Sequence, residues 1–152
     1  MQTVIVTRTI NAPIEAVFDA YVDHERLADL PMVLSAEVVV PGRTEKNGLG
    51  AVRVVNGGLI SLREEITAFE RPVLMEYRIR ESRPASEHEL GRVEFVEVPG
   101  GTQVTWKTVF GIRNPVLRAA EPAFAIAFRV IFGMTLAQTA KRAAAAAAGQ
   151  VS

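Results

Sequence analysis

The spacing of apolar side chains changes along the chain, and the changes mark its elements. Residues 2–10 alternate β-branched and polar side chains, which suits a first strand. Asn11-Ala12-Pro13 ends it. Pro13 can open a helix, and Glu15 lies near that helix's positive end. Ile14, Val17, Phe18 and Tyr21 then recur at intervals of three and four, predicting a short amphipathic helix. Asp23 to Leu30 predicts a second short helix, stopped by Pro31. Strand character follows at Val33–Val40, Ala51–Val55, Leu59–Phe69, Leu74–Glu81, Glu89–Val98 and Thr102–Phe110. Asn56-Gly57-Gly58 and Pro99-Gly100-Gly101 read as hairpin turns between them.

The last part of the chain is different. Asn114 suits a helix cap, Pro115 to Ala120 a short helical turn, and Glu121 the start of a long helix reaching about Ala148. Gly149 suits a terminator, and the alanine run 143–148, with little to pack, is expected to fray. From Pro122 to Ala137 only Arg129 and Thr135 interrupt an apolar run. That run is about 16 residues and contains an arginine, whereas a membrane span needs roughly 20 mostly apolar residues. No span is predicted. A helix apolar on most of its circumference must instead be covered by the rest of the chain. The reading is therefore α+β: a curved antiparallel sheet around a long C-terminal helix, with two short helices after the first strand and a cavity between sheet and helix. One domain over residues 1–148 and a tail at 149–152 complete it.

Composition narrows the function classes. The 17 basic and 17 acidic residues cancel, so nothing favours nucleic acid or an anionic surface. There is no cysteine, which excludes disulfides, thiol nucleophiles and thiolate metal sites. The N-terminus alternates and lacks a signal-peptide core, and the expectation is a soluble cytoplasmic protein.

Several local motifs, in order, resemble the START-related helix-grip superfamily (SRPBCC), which includes polyketide cyclase/dehydrase-like proteins. They are Ile10-Asn11-Ala12-Pro13-Ile14-Glu15-Ala16-Val17-Phe18, Gly50-Ala51-Val52-Arg53, Glu64-Glu65-Ile66-Thr67-Ala68-Phe69-Glu70-Arg71-Pro72 and Gly100-Gly101-Thr102-Gln103-Val104-Thr105-Trp106. The resemblance covers the whole chain. It implies a seven-stranded sheet gripping the helix, an apolar cavity and a hydrophobic ligand. In cyclase-like members, cavity polar groups steer ring closure or dehydration. The second short helix departs from the pattern: Leu27, Leu30 and Pro31 stand where relatives often carry tryptophan.

No nucleophile motif or phosphate loop is present. His24 and His88 are the only histidines; both read as surface residues, and two distant histidines make no metal site. No cofactor is expected. The remaining candidates are polar residues on strand faces. Ile60, Leu62, Glu64 and Ile66 share a face, so Glu64 is either a solvated rim residue or a ligand anchor or acid/base group. Tyr77, with Met75 and Ile79, either points its hydroxyl into the cavity or is a core tyrosine. Trp106, with Val104, Thr108 and Phe110, is core or ligand platform. Arg53 reaches inward to Glu64 or a ligand carboxylate, or outward to water; outward is the expectation.

On the long helix Arg129 is taken as the outward marker. The opposite side then carries Phe124, Ile131, Met134, Thr135, Ala127 and Gln138, with Phe128 beside them, as the cavity wall. Ala125, Phe132 and Leu136 lie within about 60° of Arg129 and read as an exposed face able to form a homodimer. The ligand-binding set is thus Arg53, Glu64, Tyr77, Trp106, Phe124, Phe128, Ile131, Met134 and Thr135. Its partner is a lipid, polyketide or aromatic metabolite. The rivals are a cyclase or dehydratase using Glu64 or Tyr77, and an interaction module using the helix.

Overall fold

The computed structural model describes residues 1–149. The elements are β1 (Gln2–Ile10), α1 (Ile14–Tyr21), a 3-10 turn (His24–Asp29), β2 (Ser35–Val40), β3 (Val52–Asn56), β4 (Ser61–Glu70), β5 (Leu74–Arg83), β6 (Ser86–Val98), β7 (Gly101–Ile112), α2 (Pro115–Arg118) and α3 (Glu121–Gly149). The seven strands form one antiparallel sheet in the order β1-β7-β6-β5-β4-β3-β2. Strands β2 to β7 pair with their sequence neighbours. The first and last strands also lie side by side, so α1 and the 3-10 turn must carry the chain from one edge of the sheet to the other. This is the α+β arrangement expected from the pattern and the helix-grip fold implied by the resemblance. Of the expected tail, residues 150–152 lie outside the described residues.

Local chemistry accounts for the elements. Ile14, Val17, Phe18 and Tyr21 of α1 are buried as one stripe. The second short helix is a 3-10 turn, because its amides close back on residues three positions earlier (Arg26 to Asp23, Leu30 to Leu27, each 3.1 Å) and Pro31 follows at once. Strand β6 begins at Ser86, earlier than predicted. A bulge between His88 and Leu90 switches the inward parity from even residues to the odd Gly91, Val93 and Phe95. That switch hides the strand's start from any search for strict alternation. In the β6–β7 hairpin Gly101 has φ +152°, and a Cβ there would stand 2.0 Å from the Ile10 carbonyl. Only glycine lets the hairpin close against the end of β1.

Asn114 caps α2 as expected, its Oδ1 accepting from the amides of Val116 (2.9 Å) and Leu117 (3.3 Å). The Glu121 carboxylate at the start of α3 accepts the Ile112 amide at 2.9 Å and tethers the helix to the end of β7. Helix α3 then buries Phe132, Leu136, Thr139 and Ala143 as a stripe with spacings of four, three and four. The Phe132 ring stacks on Trp106 with centroids 3.8 Å apart and planes 6° off parallel.

This corrects the expected exposed face. Phe132 is 7% exposed and Leu136 fully buried, beneath their own chain. Arg129 misled as a compass: it is exposed, but its long side chain reaches the edge of β1 and donates to the Ile5 carbonyl at 3.2 Å. A long basic residue can thus sit beside the buried stripe rather than opposite it. The exposed side of α3 carries Ile126 and Val130 instead. Helix α3 continues through the alanine run as expected; Ala143 is fully buried, whereas 144–146 and 148 are exposed. By length and composition α3 could cross a membrane, with a window of mean hydropathy 1.5. Yet its buried stripe is part of the core beneath the sheet.

Phe132→Ala is expected to cost about 3–5 kcal/mol, the range for removing a buried aromatic. Val130→Ala, on the exposed side, should stay within about 0.5 kcal/mol. Urea unfolding of both variants tests the assignment of faces; equal effects would contradict it.

Candidate functional site

Between the concave face of the sheet and the first half of α3 lies a cavity of about 360 Å³. Phe124, Phe128, Ile131 and Phe132 wall it on the helix side. Leu62, Ile79, Trp106 and Phe110 wall it on the sheet side. Leu59 and Arg83 both line the cavity and are exposed, Leu59 at 91%. The mouth therefore lies between the β3–β4 hairpin and the β5–β6 turn. The other end is polar.

At that floor Arg53 and Glu64 face each other across the β3–β4 ladder, each only 4% exposed. Arg53 Nε donates to Glu64 Oε1 at 2.9 Å. Arg53 Nη1 donates to His24 Nδ1 at 2.9 Å, and the other ring nitrogen, Nε2, donates to the Asn47 carbonyl at 3.0 Å. The two bonds together assign His24 as the neutral tautomer with its proton on Nε2. Burial, then the Arg53 charge, holds His24 well below its usual pKa. Burial is the largest single influence on Arg53 and works against its charge, but Glu64, Tyr21 and Tyr77 together outweigh it and raise the guanidinium's pKa. The guanidinium lies 5.0 Å from the centroid of the Tyr77 ring, a cation–π contact. Trp106 Nε1 donates to the Tyr77 hydroxyl at 2.9 Å. Burial, then Glu64, pushes Tyr77 well above the usual phenol range, and burial, then Tyr77, does the same to Tyr21. Both phenols stay protonated.

A second polar group lies on the wall. His88 Nδ1 accepts the Ile79 amide at 3.1 Å, and its Nε2 donates to Thr108 Oγ1 at 2.9 Å. Thr108 spends its own proton on the Leu90 carbonyl at 3.1 Å. Burial, then Arg78, lowers His88 to about 4. Among the described residues no three His, Cys, Asp or Glu side chains converge to hold a metal.

Residues 1–144 match the family described as polyketide cyclase/dehydrase and lipid transport. The chain belongs to this family. No curated protein matches the sequence. Among solved structures, protein TTHA0849 from Thermus thermophilus is 21% identical, with a TM-score of 0.75 over 95% of this chain and 99% of its own. The ZhuI aromatase/cyclase from Streptomyces sp. R1128 is 18% identical, with a TM-score of 0.73 over 93% and 94%. A START superfamily protein from Mycobacterium smegmatis is 12% identical, with a TM-score of 0.65 over 99% of each. At these identities the structural likeness speaks for the fold, which is the START-like, SRPBCC fold.

Within this family fold the residues singled out by pattern are divided by the structure. It brings Arg53, Glu64, Tyr77, Trp106, Phe124, Phe128 and Ile131 together around the cavity. Met134 and Thr135 lie outside its lining; the Thr135 hydroxyl is turned onto the Ile131 carbonyl at 2.8 Å. Arg53 is inward rather than outward, because Glu64 opposite it on β4 and His24 of the 3-10 turn both pair with its guanidinium there. His24 is 1% exposed and His88 half-buried, so neither is the surface histidine expected. His24 was hidden because its partners stand 23 and 29 residues away. His88 was hidden by the bulge beside it.

Gly91 was also missed. A Cβ there would lie 2.4–2.6 Å from the Tyr77 ring atoms Cζ, Cε1 and Cε2, so the ring rests flat on bare β6 backbone. Gly91→Ala is expected to push Tyr77 off this seat and break its bond to Trp106, the sole tryptophan. A shifted Trp106 emission with the fold retained by circular dichroism would mark this; unchanged emission would count against it.

The histidines also set a pH response. A folded pKa below the unfolded value means the unfolded chain binds more protons in between, so stability falls as pH falls through that window. For His88 the window runs from about 6.5 down to about 4. Carboxylates held low by the fold, Glu25 by Lys46, Glu45 by Arg71 and Glu121 by the Ile112 amide, titrate below 4.5. Urea midpoints should therefore already drop between about pH 6.5 and 5. His88→Gln should flatten part of that slope, and an unchanged slope would refute its share.

Proposed function

We propose that this chain binds a hydrophobic or amphipathic small molecule in the cavity between sheet and α3, as a cytoplasmic protein without cysteine. One observation carries the reading: a mostly apolar cavity of about 360 Å³ that ends in a few fixed polar groups. That combination is what small-molecule sites are made of. A protein interior otherwise packs to crystal density and leaves few voids larger than a water molecule. Membership of a family described by cyclase, dehydrase and lipid-transport activities supports the same class of ligand, such as a lipid, polyketide or aromatic metabolite.

An enzymatic reading of cyclase or dehydratase type is the second candidate, favoured by the Arg53–Glu64 pair and the Tyr77 hydroxyl at the cavity floor. There Tyr77, held protonated, could donate a proton but not act as a base at neutral pH. Glu64→Gln separates the two readings: a carrier should keep affinity within a modest factor, whereas an enzyme should lose turnover and keep binding. An interaction module built on Phe132 has lost its ground, and with it the dimer proposed through that face.

Native mass spectrometry should find a co-purified small molecule, or Nile red should titrate to one site per chain. Ile131→Trp, which fills the cavity from the helix side, should abolish uptake while changing stability by less than the roughly 1–3 kcal/mol that overpacking a solid core costs. Unchanged uptake, or a large loss of stability, would contradict a cavity used for binding.

A further inference from the structure

We infer that the cavity floor selects an uncharged polar head on its ligand, a group that accepts from Arg53 and donates to Glu64, such as a hydroxyl or phenol. This rests on the binding reading above. The residues lining the cavity that carry formal charge are Arg53, Glu64 and Arg83. Arg83 is exposed at the mouth. Arg53 and Glu64 cancel each other at 2.9 Å.

The titratable neighbours leave that balance intact. His24, behind Arg53, accepts through Nδ1 and so is neutral. His88 accepts the Ile79 amide and is neutral too. Tyr77 and Tyr21, the buried phenols beside the pair, remain protonated. The floor is therefore electroneutral.

It is not, however, saturated with hydrogen bonds. Arg53 uses Nε and Nη1, and Glu64 uses Oε1, which leaves Nη2 and Oε2. Among the described residues the one sealed side-chain polar atom without a partner is Asn47 Oδ1. Nη2 and Oε2 are thus not sealed, and both residues line the cavity. A donor and an acceptor of opposite charge stand side by side there with no net charge behind them.

A hydroxyl can satisfy both, through two charge-assisted hydrogen bonds. A carboxylate would contend with Glu64 for Arg53 and leave a net negative charge in a desolvated site. An ammonium would do the reverse. An ether could accept from Arg53 but would leave Glu64 Oε2 facing a group with no proton to give.

The test is displacement of Nile red by 1-decanol, decyl methyl ether, decanoate and decylammonium at neutral pH. An Arg83→Gln background removes the cation at the mouth. A cavity that reads only apolar character would take the ether more tightly than the alcohol. The floor described here is expected to take the alcohol about tenfold more tightly than the ether, and both more tightly than either ion. Glu64→Gln leaves Arg53 unbalanced, and decanoate should then overtake the alcohol. The wild-type order needs no variant at Glu64, so it decides if that variant does not fold. Nile red bound, with ether or decanoate ahead of alcohol in the unaltered floor, overturns the inference and leaves the binding reading standing. A folded Glu64→Gln that keeps the wild-type order overturns it as well. Failure of Nile red and of all four compounds to bind overturns the binding reading itself.

Discussion

A guanidinium on the inner face of a sheet has to be answered, and Arg53 is answered from three sides. Its cross-strand neighbour is Glu64, a histidine from the 3-10 turn closes one terminal nitrogen, and the Tyr77 ring lies against its face. Taking such a pair out of water is expensive, and the mutual attraction offsets it only with good geometry and further hydrogen bonds. The β3–β4 register, the position of the 3-10 turn and the setting of Tyr77 are therefore linked through one side chain. A one-residue slip of β3 against β4 would turn Arg53 or Glu64 outward and leave its partner alone.

That linkage joins the polar floor to the apolar remainder. Tyr77 receives the Trp106 indole, and Trp106 stacks on Phe132 of α3. The helix thus meets the sheet through an aromatic contact whose far end is the ion pair. Beyond this contact, toward the start of α3, the two surfaces diverge and the cavity opens. The loop at 41–51 is drawn into the same system from outside. Asn47 holds His24 through its carbonyl, Lys46 pairs with Glu25, and Arg71 pairs with Glu45 and Asp19.

The element order was legible because each strand and helix carries its own period, and the caps and turns used their usual residues. Asn114 and the two glycine-rich hairpins could be read directly. The cavity face of β4 and of the residue before it was legible too, since Ile60, Leu62 and Glu64 alternate onto the cavity lining. What escaped was whatever depends on contacts between distant segments. The direction of Arg53 follows from Glu64 and His24, not from its neighbours Val52 and Val54. The orientation of α3 could not be taken from Arg129, because a flexible side chain can reach the edge of β1 from a position next to the core. A bulge concealed His88, and Gly91 has a purpose only once Tyr77 is seen lying across it.

The seat of Tyr77 on Gly91 also restricts the routes by which this site can change over time. While the aromatic ring keeps this seat, no residue with a Cβ fits at 91. A lineage that keeps the floor intact must first give up the ring at 77 before the glycine is free to vary, and once a larger residue has settled at 91 the ring cannot return to this seat. The two positions thus form a ratchet, in which the order of substitutions matters as much as their identity.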